Sequence, residues 1–198
     1  MDTAIRTIAR RGYSQSSLAE IARDAGISKG VISYHFEGKD DLVDAILARL
    51  VREPAEFIKR HVDACESSLE KLQAYVRANL EFMKANRTGY VALVDLWESR
   101  DSSRGRNQFA ADAYEPSRRY LARILEAGQQ QGEFRRLAPH TVASVIQATI
   151  DGVMLQWVFD EEAIDLDACG EEILGMINRN LSVGPAAGLN QVEHGSEP

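Results

Sequence analysis

Apolar residues recur at three- and four-residue steps along almost the whole chain, and no convincing run alternates with period two. A helix turns once per 3.6 residues, whereas a half-buried strand alternates. The spacing therefore predicts an all-α chain of about nine helices. Ala4, Ile5, Ile8 and Ala9 mark the first, closed by Gly12; it looks short, as though a turn or more preceded Met1. Ser17 and Glu20 form a capping box, in which the serine oxygen accepts the glutamate's N–H and the carboxylate reaches back. Leu18, Ile21, Ala22 and Ala25 continue that helix, and Gly26 should end it as a left-handed cap. Ser28 opens a short helix to about His35. The next begins near Lys39 and carries Leu42, Val43, Ile46, Leu47 and Leu50. Pro54 should kink or restart it before Phe57, Ile58 and Val62.

A second capping box, Ser67 with Glu70, starts a helix bearing Leu72, Val76, Leu80 and Met83. Further helices are predicted over about 88–99, from Pro116 to near Gly132, from Pro139 to about 159, and over 166–181. The polar run 101–107 reads as a loop, and the Gly-, Ala- and Pro-containing stretch 183–198 as a frayed, disordered tail.

Net charge is −7, which argues against a nucleic-acid partner until its distribution is considered. Residues 1–39 carry six basic and four acidic side chains, a balance of +2, leaving −9 for the remainder. A mildly basic head on an acidic body fits a small DNA-binding module joined to a part that stays off DNA. Cys65 and Cys169 are far apart and the four histidines are scattered, so neither a disulfide framework nor a metal site is expected. The longest apolar stretch, 142–159, is interrupted by Gln147, Asp151 and Gln156, and the first residues do not read as a secretory leader. A cytoplasmic protein without a membrane partner is the expectation. No nucleophile elbow, P-loop, zinc-protease or dinucleotide motif occurs, and Asp40–Asp41 and Glu161–Glu162 sit at expected helix ends. Enzyme function and cofactors are not expected.

Residues 17–36 place a capped helix, a glycine turn and a second short helix in the order of a helix-turn-helix, whose second helix enters the major groove. That second helix shows small and aromatic polar residues where a surface helix would show Glu and Lys. Ser17, Ile21, Ala22, Ala25, Gly26, Ile27, Ser28, Lys29, Gly30, His35, Phe36, Lys39 and Leu42 match at fixed spacing, over one 26-residue window, the head pattern of the TetR family of repressors. The chain resembles that family over about its first quarter. One departure is that Ser33 occupies the family's tyrosine position and Tyr34 follows it. Ser17, His35 and Lys39 are expected on the phosphate backbone, and Lys29, Val31 and Tyr34 at base edges. Ser28 and Ser33 could touch either, and Gly30 lies among them. Val31 reads as readily as core. Ile21, Ala22, Ile27, Ile32 and Phe36 read as the head's core.

The resemblance implies a head over 1–46 and a ligand-binding and dimerisation body over 47–182. It also implies double-stranded operator DNA as partner and an inducer pocket. Tyr75, Asn79, Phe82, Leu93, Trp97, Tyr114, Arg118, Leu121 and Met154 are the candidate lining. Asp95, Glu98 and Asp151 would favour a cationic ligand if they faced inward; solvated faces are the expectation. The helix over 142–159 is apolar nearly all round, so it must bury two faces, one of them against a partner or within a thick monomer. The homodimer reading uses Val145, Thr149, Gly152, Val153, Gln156, Ile173, Met176 and Ile177. A transcriptional repressor released by a small molecule is the expected function. A DNA-binding dimer under no small-molecule control is the alternative.

Overall fold

The computed structural model describes residues 1–99, 111 and 114–181; the predicted loop 101–107 and tail 183–198 lie outside them. The described residues form nine α-helices and no strand: α1 (Asp2–Arg11), α2 (Leu18–Asp24), α3 (Lys29–His35), α4 (Lys39–Asp63), α5 (Ser68–Ala85), α6 (Arg87–Ser99), α7 (Glu115–Gln130), α8 (Pro139–Phe159) and α9 (Leu166–Leu181). Both expected capping boxes are present, with Ser17 and Ser67 accepting the N–H groups of Glu20 and Glu70. The N–H groups of Ser17 and Ser67 donate back to the two carboxylates and, with the serine hydroxyls, hold both glutamates below the usual carboxylate range.

Of the two outcomes expected at Pro54, a restart does not occur: α4 runs through it as one helix of 25 residues. Proline there removes one bond to the carbonyl of Leu50, and both residues border a cavity, with Leu50 also packing against the core of the head. α4 is thus a single shaft from the head into the body.

The chain packs around two cores. The first gathers Ile5 and Ile8 of α1, Ile21 of α2, Ile32 of α3, and Leu42 and Ile46 of α4. It also takes Ala92 and Leu96 from α6, so a body helix completes the core of the head. Ile27, expected in this core, is instead 43% exposed in the turn, and Phe36 is only partly buried. The second core unites α5, α7, α8 and α9 around Leu72, Val76, Leu121, Leu125, Ile150 and Ile173. Its tightest approach is at Gly128, where a Cβ would collide with the ring of Phe134.

Helix α8 is 21 residues long and, by length and composition, apolar enough to cross a membrane. It packs against α5, α6, α7 and α9, which is the behaviour of a core helix.

Candidate nucleic-acid interface and ligand site

The turn between α2 and α3 is built by Gly26, whose φ of 67° is a left-handed conformation that other residues adopt only with strain. The Gly26 N–H donates to Arg23 O and the Ile27 N–H to Ala22 O, closing α2 and aiming α3 across it. Behind this pair, Asp24 ties α2 to α1. It accepts from Thr7 Oγ1 at 3.0 Å and from Arg10 at 2.6 Å. The Thr7 hydroxyl, then Arg11, Arg10 and Arg23, hold its carboxyl below the ordinary range.

Helix α3 buries only Ile32. Lys29, Gly30, Val31, Ser33, Tyr34 and His35 are all exposed, as are Ser17 and Ser28 at the two N-caps. Val31 is 46% exposed, which settles its alternative reading: it is not core. Tyr34 is 85% exposed, an unusual position for a tyrosine, and its ring meets His35 edge-on at 5.0 Å. Ser28 makes no capping bond with its side chain, leaving that hydroxyl available to another acceptor or donor.

Lys39, expected on the phosphate backbone, is engaged within the chain. Its Nζ donates to Tyr13 O at 2.5 Å and lies 3.7 Å from the centre of the Tyr13 ring. Burial pushes this ammonium below its ordinary range, against the pull of Asp40, Asp95 and Glu20. In this conformation Lys39 fastens the start of α4 to the α1–α2 turn. Tyr13, which sequence reasoning passed over, is the hub: its hydroxyl donates to Asp40, and its backbone N–H donates to Asp95 Oδ2 of α6 at 2.5 Å. Asp95 is therefore not on a solvated face as expected.

The candidate ligand residues divide into three groups. Phe82 and Leu93 line a cavity of about 300 Å³ at the seam of head and body, together with Arg6, Arg49, Glu53 and Tyr90. Tyr75, Asn79, Leu121 and Met154 are buried in the body core, with Asn79 committed to Tyr75 O. Trp97 and Tyr114 meet edge-on with centroids 6.5 Å apart, and Arg118 pairs with Glu115.

Asp151 overturns another expectation. It lies on the inner face of α8, part-buried, accepting from Gln147 Nε2 at 2.8 Å; Gln147 in turn accepts from the Tyr75 hydroxyl at 2.6 Å. Burial pushes its carboxyl up to about 6 in spite of the Gln147 bond. Glu98 is exposed, as expected.

The candidate dimer residues also separate. Val145 at 61% and Met176 at 49% are open to solvent, Gln156 is exposed and Thr149 partly so, and a Cβ on Gly152 would meet nothing within 4 Å. Ile173 and Ile177 are buried in their own chain and Val153 packs against the same core, so these three face inward. Phe159, 74% exposed, joins the open face instead.

Comparison with known proteins agrees with this layout. Residues 1–46 match the family described as bacterial regulatory proteins, tetR family, and residues 68–179 match the BetI-type transcriptional repressor, C-terminal. The HTH-type transcriptional regulator BetI of Stenotrophomonas maltophilia is 29% identical over 162 residues, covering 76% of this chain and 75% of that protein. A transcriptional regulator from Saccharomonospora viridis, solved in complex with choline, is 28% identical, with a TM-score of 0.76 and coverage of 92% and 95%. The regulator FadR from Bacillus subtilis, solved in complex with stearoyl-CoA, is 25% identical, with a TM-score of 0.75 and coverage of 89% and 94%. The chain belongs to the TetR family of bacterial transcriptional regulators, DNA-binding helix-turn-helix proteins and not enzymes, with a body of the BetI repressor type.

Proposed function

We propose that the chain is a cytoplasmic homodimeric repressor that holds an inverted-repeat operator through α3 and lets go when a small molecule enters its body. The observation that carries this reading is the position of α6. It supplies Ala92 and Leu96 to the core of the head, bonds Tyr13 through Asp95, and sets Trp97, in its last turn, against Tyr114. A ligand that shifts α6 or α4 changes the set of the head, taken as residues 1–46, on the body, taken as 47–182. Two heads held at a fixed separation tolerate little such change.

Ser17, Ser28, Lys29, Gly30, Val31, Ser33, Tyr34 and His35 form the proposed DNA face, with Lys39 steadying it. The proposed dimer seam is the open face of α8 and α9: Val145, Thr149, Gly152, Gln156, Phe159 and Met176. Uncovered valine, phenylalanine and methionine on two adjacent helices favour a second copy of the same chain as the cover. The ligands of two relatives, choline and stearoyl-CoA, are chemically opposite, so kinship alone does not choose between them.

The test is selection of bound sequences from random DNA, followed by a screen for compounds that release the selected site. An inverted repeat, bound by two protomers and released by a small molecule, is the expected result. A Met176→Asp variant that remains folded should sediment as a monomer and lose the site. Binding that no compound releases would instead favour a DNA-binding dimer outside small-molecule control.

A further inference from the structure

The cavity at the seam of head and body, of about 300 Å³, takes its walls from four helices at once. Its apolar lining is Ile5 of α1, Leu50 and Pro54 of α4, Phe82 of α5, and Tyr90 and Leu93 of α6. Phe82 and Tyr90 meet edge to face there, with ring centroids 6.4 Å apart. At about 30 Å³ each, the share of a water molecule in the liquid, such a space holds roughly ten heavy atoms. An open groove between α1 and α6 adjoins it, and Arg6, Arg87 and Thr88 border both.

Four arginines border the cavity and the groove, and the described residues supply acids for three of them. Arg49 pairs with Asp2 at 2.7 Å and with Glu53 at 2.6 Å, Arg87 with Glu161 at 2.8 Å, and Arg10 with Asp24 at 2.6 Å. The exposed Arg6 has no acidic partner among the described residues, and its hydrogen bond goes to the Thr3 hydroxyl at 2.9 Å. Its planar fork keeps donors that a carboxylate fills with two parallel bonds. Asp2 and Glu53 already share one guanidinium in the same lining. A doubly charged phosphate ester would be repelled by them, whereas a single negative charge balances Arg6. Apolar walls with one unmatched cation fit a small amphipathic anion.

We propose that the seam cavity is the ligand site of the switch and takes a compact carboxylate of roughly ten heavy atoms. Its apolar part lies among Leu50, Phe82 and Tyr90, and its charge on Arg6. This rests on the reading of the chain as a ligand-controlled regulator, and it puts the ligand against the head itself. A molecule in the seam touches α1 of the head and α4 and α6 of the body together. Filling it alters the set of the head directly, without passage through the body core.

The experiment uses the full-length protein on its selected operator. The probes are phenylacetate and octanoate, with phenylacetamide and octanamide as their uncharged counterparts. Choline and octanoyl-CoA represent the ligand classes of the two relatives. Binding is read by calorimetry, release by anisotropy of labelled operator, and location by backbone hydrogen exchange. At least one carboxylate is expected to bind about tenfold or more tighter than its amide, and to slow exchange in α1 and at the start of α6. At saturation it should lower operator affinity about fivefold or more. Arg6→Gln should weaken that carboxylate about tenfold or more, and Arg6→Lys less. Arg52→Gln, which removes an exposed charge outside the cavity lining, should not weaken it. Equal binding of acid and amide, an unchanged affinity in Arg6→Gln, or an equal loss in Arg52→Gln overturns the proposal. Exchange slowed only in the body core, with α1 untouched, overturns it as well. Release by choline or octanoyl-CoA with no carboxylate bound overturns it too, yet leaves small-molecule control standing. If no probe binds, the proposal falls, and the wider compound screen decides the control reading separately.

Discussion

Asp95 Oδ2 of α6 accepts the backbone N–H of Tyr13 at 2.5 Å, a bond between residues 82 apart that joins the body to the α1–α2 turn of the head. The Tyr13 carbonyl takes Lys39 from the other side, so one peptide segment is gripped by α6 and α4 together. In the proposed switch this is the point at which a shift of α6 reaches the head.

Asp95→Ala should therefore leave the Tyr13 N–H without its charged acceptor and cost about 1–3 kcal/mol of stability. Asp95→Asn, which keeps an acceptor, should recover part of it. The more telling readout is operator affinity with and without a releasing ligand. The gap between the two should narrow in Asp95→Ala, because the head no longer follows α6. An unchanged ratio would place the coupling elsewhere, with α4 the next candidate.

Gly128→Ala tests the body core. A methyl group there runs into the Phe134 ring, and Phe134 is itself buried. Thermal unfolding should report a loss of about 1–3 kcal/mol. The paired change with Phe134→Leu should recover some of it, since the obstruction is a side chain and not backbone.

Asp151 gives a pH signature of known sign. Its carboxyl ionises near 3.8 in an unfolded chain and at about 6 in the folded one. Between those values the native state holds a proton that the unfolded state has released. Stability therefore falls as pH rises from about 4 to 6 and levels off above. The penalty at pH 7 is of order 2 kcal/mol, allowing for the residual exposure of the group. Asp151→Asn should be more stable than the parent at pH 7 and nearly equal to it near pH 4. Glu20, Asp24, Asp63 and Glu70 are shifted the other way, but identically in both proteins, so they cancel in the difference. A constant difference across that range would mean that Asp151 is solvated.

The head was legible in sequence because its signals are local. A serine three residues before a glutamate caps a helix whatever else is nearby, and Gly26 turns where a left-handed φ is needed. The exposed face of α3 followed from a short helix with one core residue, Ile32. The body was less legible for a physical reason. When a helix is apolar nearly all round, periodicity does not tell which stripe faces the chain's own core. Ile173 and Ile177 thus turned inward while Phe159 turned out. Asp151 read as a solvated residue because burial of a charge is a tertiary property, set by α5, α6 and α8 together. The tie of Lys39 to Tyr13 went unread for the same kind of reason: the attraction of a residue 26 positions away has no local mark.

Two substitutions separate reading from positioning on DNA. Tyr34→Ala should relax discrimination at particular base pairs, each worth about 1–3 kcal/mol, with little effect on random DNA. Lys39→Ala should weaken all DNA alike, through a loosened α4 start as much as through lost charge. Its salt slope should therefore fall by no more than about one unit. Equal losses on operator and random DNA for both variants would erase the distinction.

The central claim is that two copies of α3 read one operator. Footprinting of the purified protein on its selected site, with the stoichiometry of the same sample measured by sedimentation, tests it most directly. The account predicts two protomers on an inverted repeat, with major-groove protection at two half-sites about 34–36 Å apart or somewhat further. It also predicts loss of both protected regions together in a monomeric Met176→Asp variant. A single protomer protecting one half-site at full affinity would contradict it.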